Sequence, residues 1–165
     1  MKRSGTSRVA RPGAWSGRRA VRTPWLLLCG LLCGLLSLDV AAASVGMVKR
    51  MTGEVSVVRA GRTLPVTVGM RVEAADELRT GRGGSVGVMF VDNSLVSLGP
   101  NSQYTIERFA FNSTTHNGAF ASRLGRGSLA MVSGKLARQS PDAVTVRTPS
   151  TMLGVRGTRF VVEVP

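Results

Sequence analysis

The side chains that could support acid–base, nucleophilic or metal chemistry are sparse in this chain of 165 residues. His116 is the single histidine, and it lies between Thr115 and Asn117 in a polar stretch that is typical of a loop. A histidine in such a loop is usually solvated, and a zinc site or a Ser-His-Asp set would need further partners around it. We therefore expect no catalytic residue, no metal site, no cofactor and no enzymatic activity.

Two further motifs contain charged residues or glycines that could bind a ligand. Asp76 and Glu77 are adjacent carboxylates, but neighbouring residues of a strand point to opposite faces and do not share a site. The segment 80–85, Thr-Gly-Arg-Gly-Gly-Ser, is similar to a phosphate-binding loop, but it lacks the Lys-Ser/Thr ending and a following helix. We interpret it as a turn between strands. For iron, the first residues to examine would be Asp76, Glu77 and His116.

The amino-terminal residues have the order of a secretory signal. Residues 1–24 hold seven basic residues and no acidic one, and a mostly apolar run follows from residue 25 to residue 38. Asp39 and the small residues 41–44 come next, and basic, apolar and small segments in this order are typical of a signal peptide. The run has 14 residues, whereas a spanning helix needs about 20. We therefore predict a leader at 1–43, cleavage between Ala43 and Ser44, and one domain at 44–165.

Alternatives to this interpretation of the leader are a retained membrane anchor and a different start. The basic part is long for a signal, so either the true start lies downstream or Arg18-Arg19 belongs to a degenerate twin-arginine signal. Cys29 and Cys33 lie within the apolar run, and we interpret them as small apolar residues rather than as a metal site.

The charge of residues 44–165 is net +7, from 15 basic and 8 acidic residues. A basic surface can bind a polyanion, but these charges are scattered. In the whole chain arginine outnumbers lysine 19 to 3, which also fits an arginine-rich genome. The segment holds one tyrosine, five phenylalanines and no tryptophan, so few aromatic residues are left to stack on bases. We expect no nucleic-acid partner, and a polyanion is only weakly supported.

From residue 45 onward the sequence alternates short strands with turns. Turn residues recur every 8–12 residues or so, which predicts an all-β fold, either a solenoid-like stack of short strands or a sandwich. Segments 85–91 and 159–164 are apolar on both faces, which favours central strands, and the stretch 72–78 is helix-like but short. The alternating apolar residues are Val55 and Val57, Val86 to Phe90, Tyr104 and Ile106, Leu129 and Met131, Val144 and Val146, and Phe160 to Val164.

Arg156 lies between Gly154 and Gly157 in a turn before the last strand. Glycines on both sides of an arginine allow close approach of the backbone. The guanidinium has five donors, which suits the binding of loop carbonyls or a carboxylate of the domain. An anionic ligand is the alternative partner for Arg156.

Eight short segments of residues 44–165 form a recognisable set of motifs. They are Gly53-Glu54-Val55, Leu78-Arg79-Thr80-Gly81, Ser85 to Phe90, Asp92 to Leu98, Gly99-Pro100-Asn101-Ser102, Leu124-Gly125-Arg126-Gly127, Val146-Arg147-Thr148-Pro149 and Val155 to Phe160. Together these segments resemble the periplasmic domain of the FecR family of iron-transport regulators. The resemblance marks Asp92, Ser94, Thr148, Pro149, Arg156, Gly157 and Thr158 as family motif residues with a structural or interaction role. Asn93 stands where the family most often has glycine, and asparagine tolerates the left-handed backbone of such a turn.

The resemblance implies an all-β domain that works in the bacterial envelope. Signalling members of the family carry a cytoplasmic anti-sigma domain before a membrane helix and pass on a signal from an outer-membrane transporter. Here only 24 residues precede the apolar run, too few for an independently folded sigma-binding domain. We therefore expect an exported, periplasmic module for protein interaction or sensing. The alternative is a membrane-tethered regulator of sigma-factor signalling that is anchored in the inner membrane.

The expected partner is another envelope protein, and free iron or a siderophore is an unlikely ligand because iron ligands are not gathered in one place. Exposed strand edges bind proteins through backbone hydrogen bonds, and segment 159–164 would be a natural candidate if it lay at an edge.

Overall fold

The protein is described by a computed structural model that covers residues 43–155 and 159–165. The predicted leader and apolar run lie outside the described residues, except Ala43, which is exposed and precedes the first strand. Ser44 begins that strand. Cleavage between Ala43 and Ser44 stays a prediction. Among the described residues, no helix is long and apolar enough to cross a membrane.

Twelve strands, one short helix and one 3-10 turn make up the regular structure of the described residues. The elements are β1 (Ser44–Thr52), β2 (Val55–Arg59), β3 (Arg62–Pro65), β4 (Arg71–Glu73), β5 (Glu77–Thr80), β6 (Ser85–Phe90), β7 (Leu95–Leu98), β8 (Gln103–Phe111), β9 (Gly118–Val132), α1 (Lys135–Gln139), the 3-10 turn (Pro141–Ala143), β10 (Val144–Arg147), β11 (Met152–Gly154) and β12 (Arg159–Val164). The predicted all-β fold is confirmed.

The strands form one curled sheet in the order β3-β2-β5-β8-β9-β7-β6-β1-β4, and every pair along this path is antiparallel. Strand β10 pairs in parallel with the first part of β9, β11 pairs with β10, and β12 pairs with the last part of β9. We call strands β3, β2, β5 and β8, together with β10 and β11, the β8 half-sheet. Strands β4, β1, β6, β7 and β12 form the β6 half-sheet.

Strand β9 belongs to both half-sheets, and it changes face at two glycines. Leu124 in its first part and Leu129 in its last part are both buried, although five positions apart they would normally point to opposite sides. The register against β8 skips Gly125, and Gly127 has a φ of 84°, so an irregular turn of backbone reverses the alternation. We call residues 125–127 the crossing.

Ser102 holds this crossing to the turn between β7 and β8. Its hydroxyl oxygen accepts a hydrogen bond from the backbone N–H of Ser128 at 3.0 Å, and the hydroxyl donates to the carbonyl oxygen of Gly99 at 2.9 Å. The N–H of Ser102 donates in turn to the hydroxyl of Thr80 in β5 at 2.8 Å. Three segments of the family resemblance, around residues 80, 99–102 and 125–127, therefore meet in one hydrogen-bonded cluster.

An aromatic cluster joins the inner faces of the two half-sheets. The ring centroid of Phe90 in β6 lies 4.6 Å from that of Phe120 in β9 and 5.4 Å from that of Phe109 in β8. A bulge between Ile106 and Arg108 turns Phe109 inward, since strict alternation after buried Ile106 would point it to solvent. Such ring pairs contribute about 0.5–1.5 kcal/mol each beyond the area they bury.

Two expectations about individual segments need correction. Segment 159–164 is not a central strand, because β12 pairs only with β9 among the described residues and its outward side chains are exposed. Segment 72–78 forms no helix, and it makes β4, a turn and the start of β5. Strand β6, in contrast, lies between β1 and β7, so the predicted central position of segment 85–91 is confirmed for its strand.

Gly127→Ala is expected to destabilise the fold more than Gly61→Ala does. Both glycines have a positive φ, 84° and 77°, at which a side chain costs about 1–2 kcal/mol. A Cβ at Gly127 would also lie 2.5 Å from the Cα of Ser102, whereas a Cβ at Gly61 meets nothing within 4 Å. Urea unfolding of both variants should differ by more than about 1 kcal/mol. Equal losses would contradict the close approach at the crossing.

Candidate interaction surface

The predicted motif residues Asp92 and Ser94 are buried in the turn between β6 and β7. The Asp92 carboxylate accepts hydrogen bonds from the backbone N–H of Ser94 at 2.9 Å and from its hydroxyl at 2.7 Å. The Ser94 hydroxyl oxygen accepts from the N–H of Gly134 at 3.0 Å, and the Asp92 carbonyl accepts from the N–H of Lys135 at 2.8 Å. These bonds tie the turn to the start of α1.

The backbone of the same turn explains two residue types. Asn93 has a φ of 67°, so the predicted left-handed conformation is confirmed. A Cβ at Gly134 would lie 2.8 Å from the carbonyl carbon of Asn93, which leaves room only for glycine. Because Asp92 and Ser94 are enclosed and hydrogen-bonded to each other, they stabilise the turn and offer no surface to a ligand.

Of the other motif residues, the structure describes Thr148 and Pro149. Thr148 and Pro149 belong to the turn between β10 and β11, where the N–H of Thr148 donates to the carbonyl oxygen of Thr151 at 2.8 Å. The N–H of Thr151 donates back to the Thr148 hydroxyl oxygen at 3.1 Å, and Pro149 is exposed. Arg156, Gly157 and Thr158 lie outside the described residues.

A buried ion pair that sequence analysis did not predict joins β2 to the segment after β4. The Arg59 guanidinium donates to both carboxylate oxygens of Asp76, at 2.8 and 2.7 Å, and to Glu73 at 2.6 Å. The hydrogen bond to Asp76 is the main cause that raises the pKa of Arg59, and partial burial acts against it. Asp76 is fully buried, so this counter-charge offsets its desolvation.

The three residues named as first candidates for iron are engaged separately. Asp76 binds Arg59, and Glu77 accepts hydrogen bonds from Arg79 at 2.5 Å and from Gln103 at 2.7 Å. His116 stacks on the ring of Phe111, with centroids 6.0 Å apart. Within residues 43–155 and 159–165, no three His, Cys, Asp or Glu side chains form a group that could hold a metal ion.

Two further features could suggest reactivity, the segment 83–87 and the side chain of Tyr104. Residues 83–87, Gly-Gly-Ser-Val-Gly, have G-x-S-x-G spacing, which presents a nucleophile only at a strand-to-helix turn. Here Ser85 begins β6 opposite Thr52 of β1, Gly83 and Gly84 lie in the predicted turn between strands, and Gly87 lies within β6. Tyr104 is fully buried, and this burial raises the pKa of its phenol. Ser122 lowers that pKa in part, although its hydroxyl points to the carbonyl oxygen of Thr145 at 3.5 Å.

One row of apolar side chains crosses the outer face of the β6 half-sheet. Met47 of β1 lies opposite Met89 of β6, Met89 opposite Leu95 of β7, and Leu95 opposite Val132 of β9. All four are at least partly exposed, Met89 at 39%. Directly opposite side chains have Cβ atoms about 4.5–5.5 Å apart, so the four form a continuous strip. We call them the outer row.

Each end of the outer row meets an exposed arginine. Arg71 of β4 lies opposite Met47, and Arg159 of β12 lies opposite Val132. Strands are about 4.8 Å apart, so five steps separate the two arginine Cα atoms by about 24 Å along a flat sheet. Curvature of the sheet shortens that distance. The surface is therefore an apolar strip with a guanidinium group at either end.

The surroundings of the outer row widen its apolar area at one end. Val91, which follows β6, is 54% exposed, and a shallow depression of about 210 Å³ is lined by Met47, Met89 and Val91 among others. Arg50 lies over Gly87 on the same face, where a Cβ would come within 2.9 Å of the Arg50 Cγ.

A signal for this surface was present in the sequence, since segment 85–91 is apolar on both faces.

A family model described as FecR protein matches residues 76–164, which is more than half of the chain. The chain belongs to the FecR family. The matched segment begins at the Asp76 ion pair, contains the Asp92 turn and the crossing, and ends in β12. Strands β1 to β4 of this FecR protein precede the match, and they supply Met47 and Arg71 of the outer row.

Comparison with other proteins adds one solved structure, described as a cell surface anchoring domain. It is 27% identical to the FecR protein, with 38% of this chain and 83% of that chain covered and a TM-score of 0.37. That TM-score is too low to support a conclusion about the fold or the surface. No curated protein matches the chain.

Arg59→Ala is expected to destabilise the FecR domain by about 2–3 kcal/mol, because the buried Asp76 carboxylate loses its counter-charge. The matched control is Arg123→Ala, which removes an ion pair whose arginine side chain is 56% exposed. That control should cost less than about 1 kcal/mol. Denaturant unfolding measures both values, and a similar small loss in the two variants would contradict the role assigned to Arg59.

Proposed function

We propose that the chain is an exported, non-enzymatic FecR-family protein that binds another protein of the bacterial envelope. Association with the envelope is a property of the family. The observation that carries the proposal is the outer row, in which exposed Met89 and partly exposed Met47, Leu95 and Val132 form one apolar strip. The periplasm is the compartment that fits both the secretory order of residues 1–43 and the family.

Exposure of the apolar outer row to water is energetically unfavourable for the isolated domain. An antiparallel sheet that packs one face on a core usually presents polar side chains on the other face. An apolar row on the outer face keeps hydrophobic area in water, and its burial against a partner is favourable. Met47 and Met89 suit such a contact, because flexible thioether side chains adapt their shape to the surface that covers them.

The ends of the row indicate the chemistry of the partner. Arg71 and Arg159 can each bind a carboxylate in a two-pronged hydrogen bond. A partner that fits has an apolar segment roughly 24 Å long between acidic residues, which corresponds to five strand spacings. The net charge of +7 on residues 44–165 also favours an acidic partner. Binding of this kind requires no metal and no cofactor.

The second candidate function is a membrane-tethered regulator of sigma-factor signalling that uses the same surface. The two candidates differ in whether residues 25–43 remain attached to the domain. The family match supports both equally, and the shortness of the apolar run favours cleavage.

The mature amino terminus is expected at Ser44. Expression of the full sequence in a bacterial host, followed by intact-mass spectrometry of the envelope fractions, measures it directly. A periplasmic species that begins at Ser44 supports the exported form. An intact chain recovered from the inner membrane contradicts cleavage and favours the tethered regulator.

A photo-crosslinking residue at position 89 is expected to give a discrete adduct with an envelope protein in living cells. The matched control is the same residue at position 152, because Met152 is 56% exposed and lies in β11 of the β8 half-sheet. Adding Leu95→Lys to the position-89 variant should abolish the adduct by placing a charge in the row. Equal yields from positions 89 and 152 contradict the outer row as the binding surface.

A further inference from the structure

Strand β12 is an edge strand with an unusual pattern of side chains. It pairs with β9 through residues 159 to 164, and no strand of the described residues pairs with its other side. A groove of about 250 Å³ is lined by residues 153–155 and by residues 159–162 of β12. Val161 is 69% exposed, more than any other large hydrophobic residue described. Proteins usually protect such an edge, because its free N–H and C=O groups recruit another strand.

The exposed face of β12 carries opposite charges on either side of Val161. Arg159, Val161 and Glu163 share this face and are all exposed, while Phe160 and Val162 are half-buried on the other face. An antiparallel pair of two β12 strands centred on Val161 places Val161 opposite itself. Arg159 then lies opposite Glu163 of the second copy at both ends, and Phe160 lies opposite Val162. The strand is therefore complementary to itself in charge and in apolar character.

Other ways to pair two β12 strands lack this match. A parallel pair in register places Arg159 beside Arg159 and Glu163 beside Glu163, which is unfavourable for like charges. An antiparallel pair shifted by one residue places Phe160 opposite Glu163 and joins unlike faces of the two sheets. The arrangement centred on Val161 alone satisfies the charges while it keeps exposed faces with exposed faces.

We infer that β12 pairs antiparallel with β12 of a second copy of this chain, centred on Val161 and fixed by two Arg159–Glu163 ion pairs. The two β6 half-sheets then form one continuous sheet across a two-fold axis, with both outer rows on the same face. This inference rests on the edge and its charges and does not depend on the proposed function. In this dimer Arg159 is occupied by Glu163 of the second copy, so each outer row would keep Arg71 as its arginine for an acidic partner. Two outer rows on one face would raise avidity for such a partner.

Charge reversal at the two ends of β12 tests the inference. The chain is expressed from its full sequence, purified from the envelope and analysed by sedimentation over a range of concentrations. Arg159→Glu and Glu163→Arg each place like charges opposite one another at both ends, so each should weaken dimer formation about tenfold or more. The double variant restores opposite charges and should return to within about threefold of the parent chain.

A single cysteine gives an independent measurement. In a chain with Cys29→Ser and Cys33→Ser, Val161→Cys brings two thiols together across the axis and should form a disulfide-linked dimer under mild oxidation. The opposite residues of an antiparallel pair have the Cα separation that a disulfide requires, about 4.4–6.8 Å. Val68→Cys, which is also exposed, is the control and should remain monomeric.

Three outcomes would overturn the inference. A parent chain that stays monomeric at high concentration has no β12 pair. A double charge variant no better than the single variants shows that Arg159 and Glu163 do not face each other. Equal yields of disulfide-linked dimer from Val161→Cys and Val68→Cys would show that the cysteines meet by random collision and not in a β12 pair.

Discussion

The structure depends on the change of face in β9 at the crossing. Of the strands in the described chain, β9 is the only one that pairs with both half-sheets, and it can serve both only if its alternation reverses. Gly127 permits the reversal because its φ of 84° and the close backbone of Ser102 exclude a side chain. The hydroxyls of Ser102 and Thr80 then replace the ladder bonds that the irregular backbone cannot make. Without this cluster the aromatic residues of the two halves would not meet.

The turn at Asp92 follows the same physical rule at the opposite end of the β6 half-sheet. A short polar side chain enters a tight turn, satisfies buried backbone donors and is itself enclosed. Several of the motif segments that suggested the family therefore stabilise turns and seams, and this leaves the surfaces of the sheet free to differ. Family membership consequently says more about the fold of this domain than about a partner, and the two proposed contacts rest on the outer row and on β12.

Whether a feature of this fold can be predicted from the sequence depends on how far apart in the sequence its interacting residues lie. Period-two alternation is local, so the strands and the all-β class could be predicted from segments such as 144–147. The Arg59–Asp76 pair spans 17 residues and the outer row joins four strands, so both required the register of the sheet. The helix α1 was missed because five residues carry too little periodicity. Strand β12 was misplaced because apolar residues on both faces indicate burial or a binding edge equally well.

The same sequence pattern led to different positions in the sheet. Apolar residues on both faces predicted a central position for β6 and for β12, but the sheet places β6 in its middle and β12 at its edge. In β6 the inner face is explained by the core, since Val86, Val88 and Phe90 are buried, and the outer residue Met89 is not. In β12 the half-buried face carries Phe160 and Val162, and Val161 is left in water. Folding of the described residues accounts for the inner face of each strand. On the outer face it leaves Met89 of β6 and Val161 of β12 exposed, and the two proposed contacts would each cover one of these side chains.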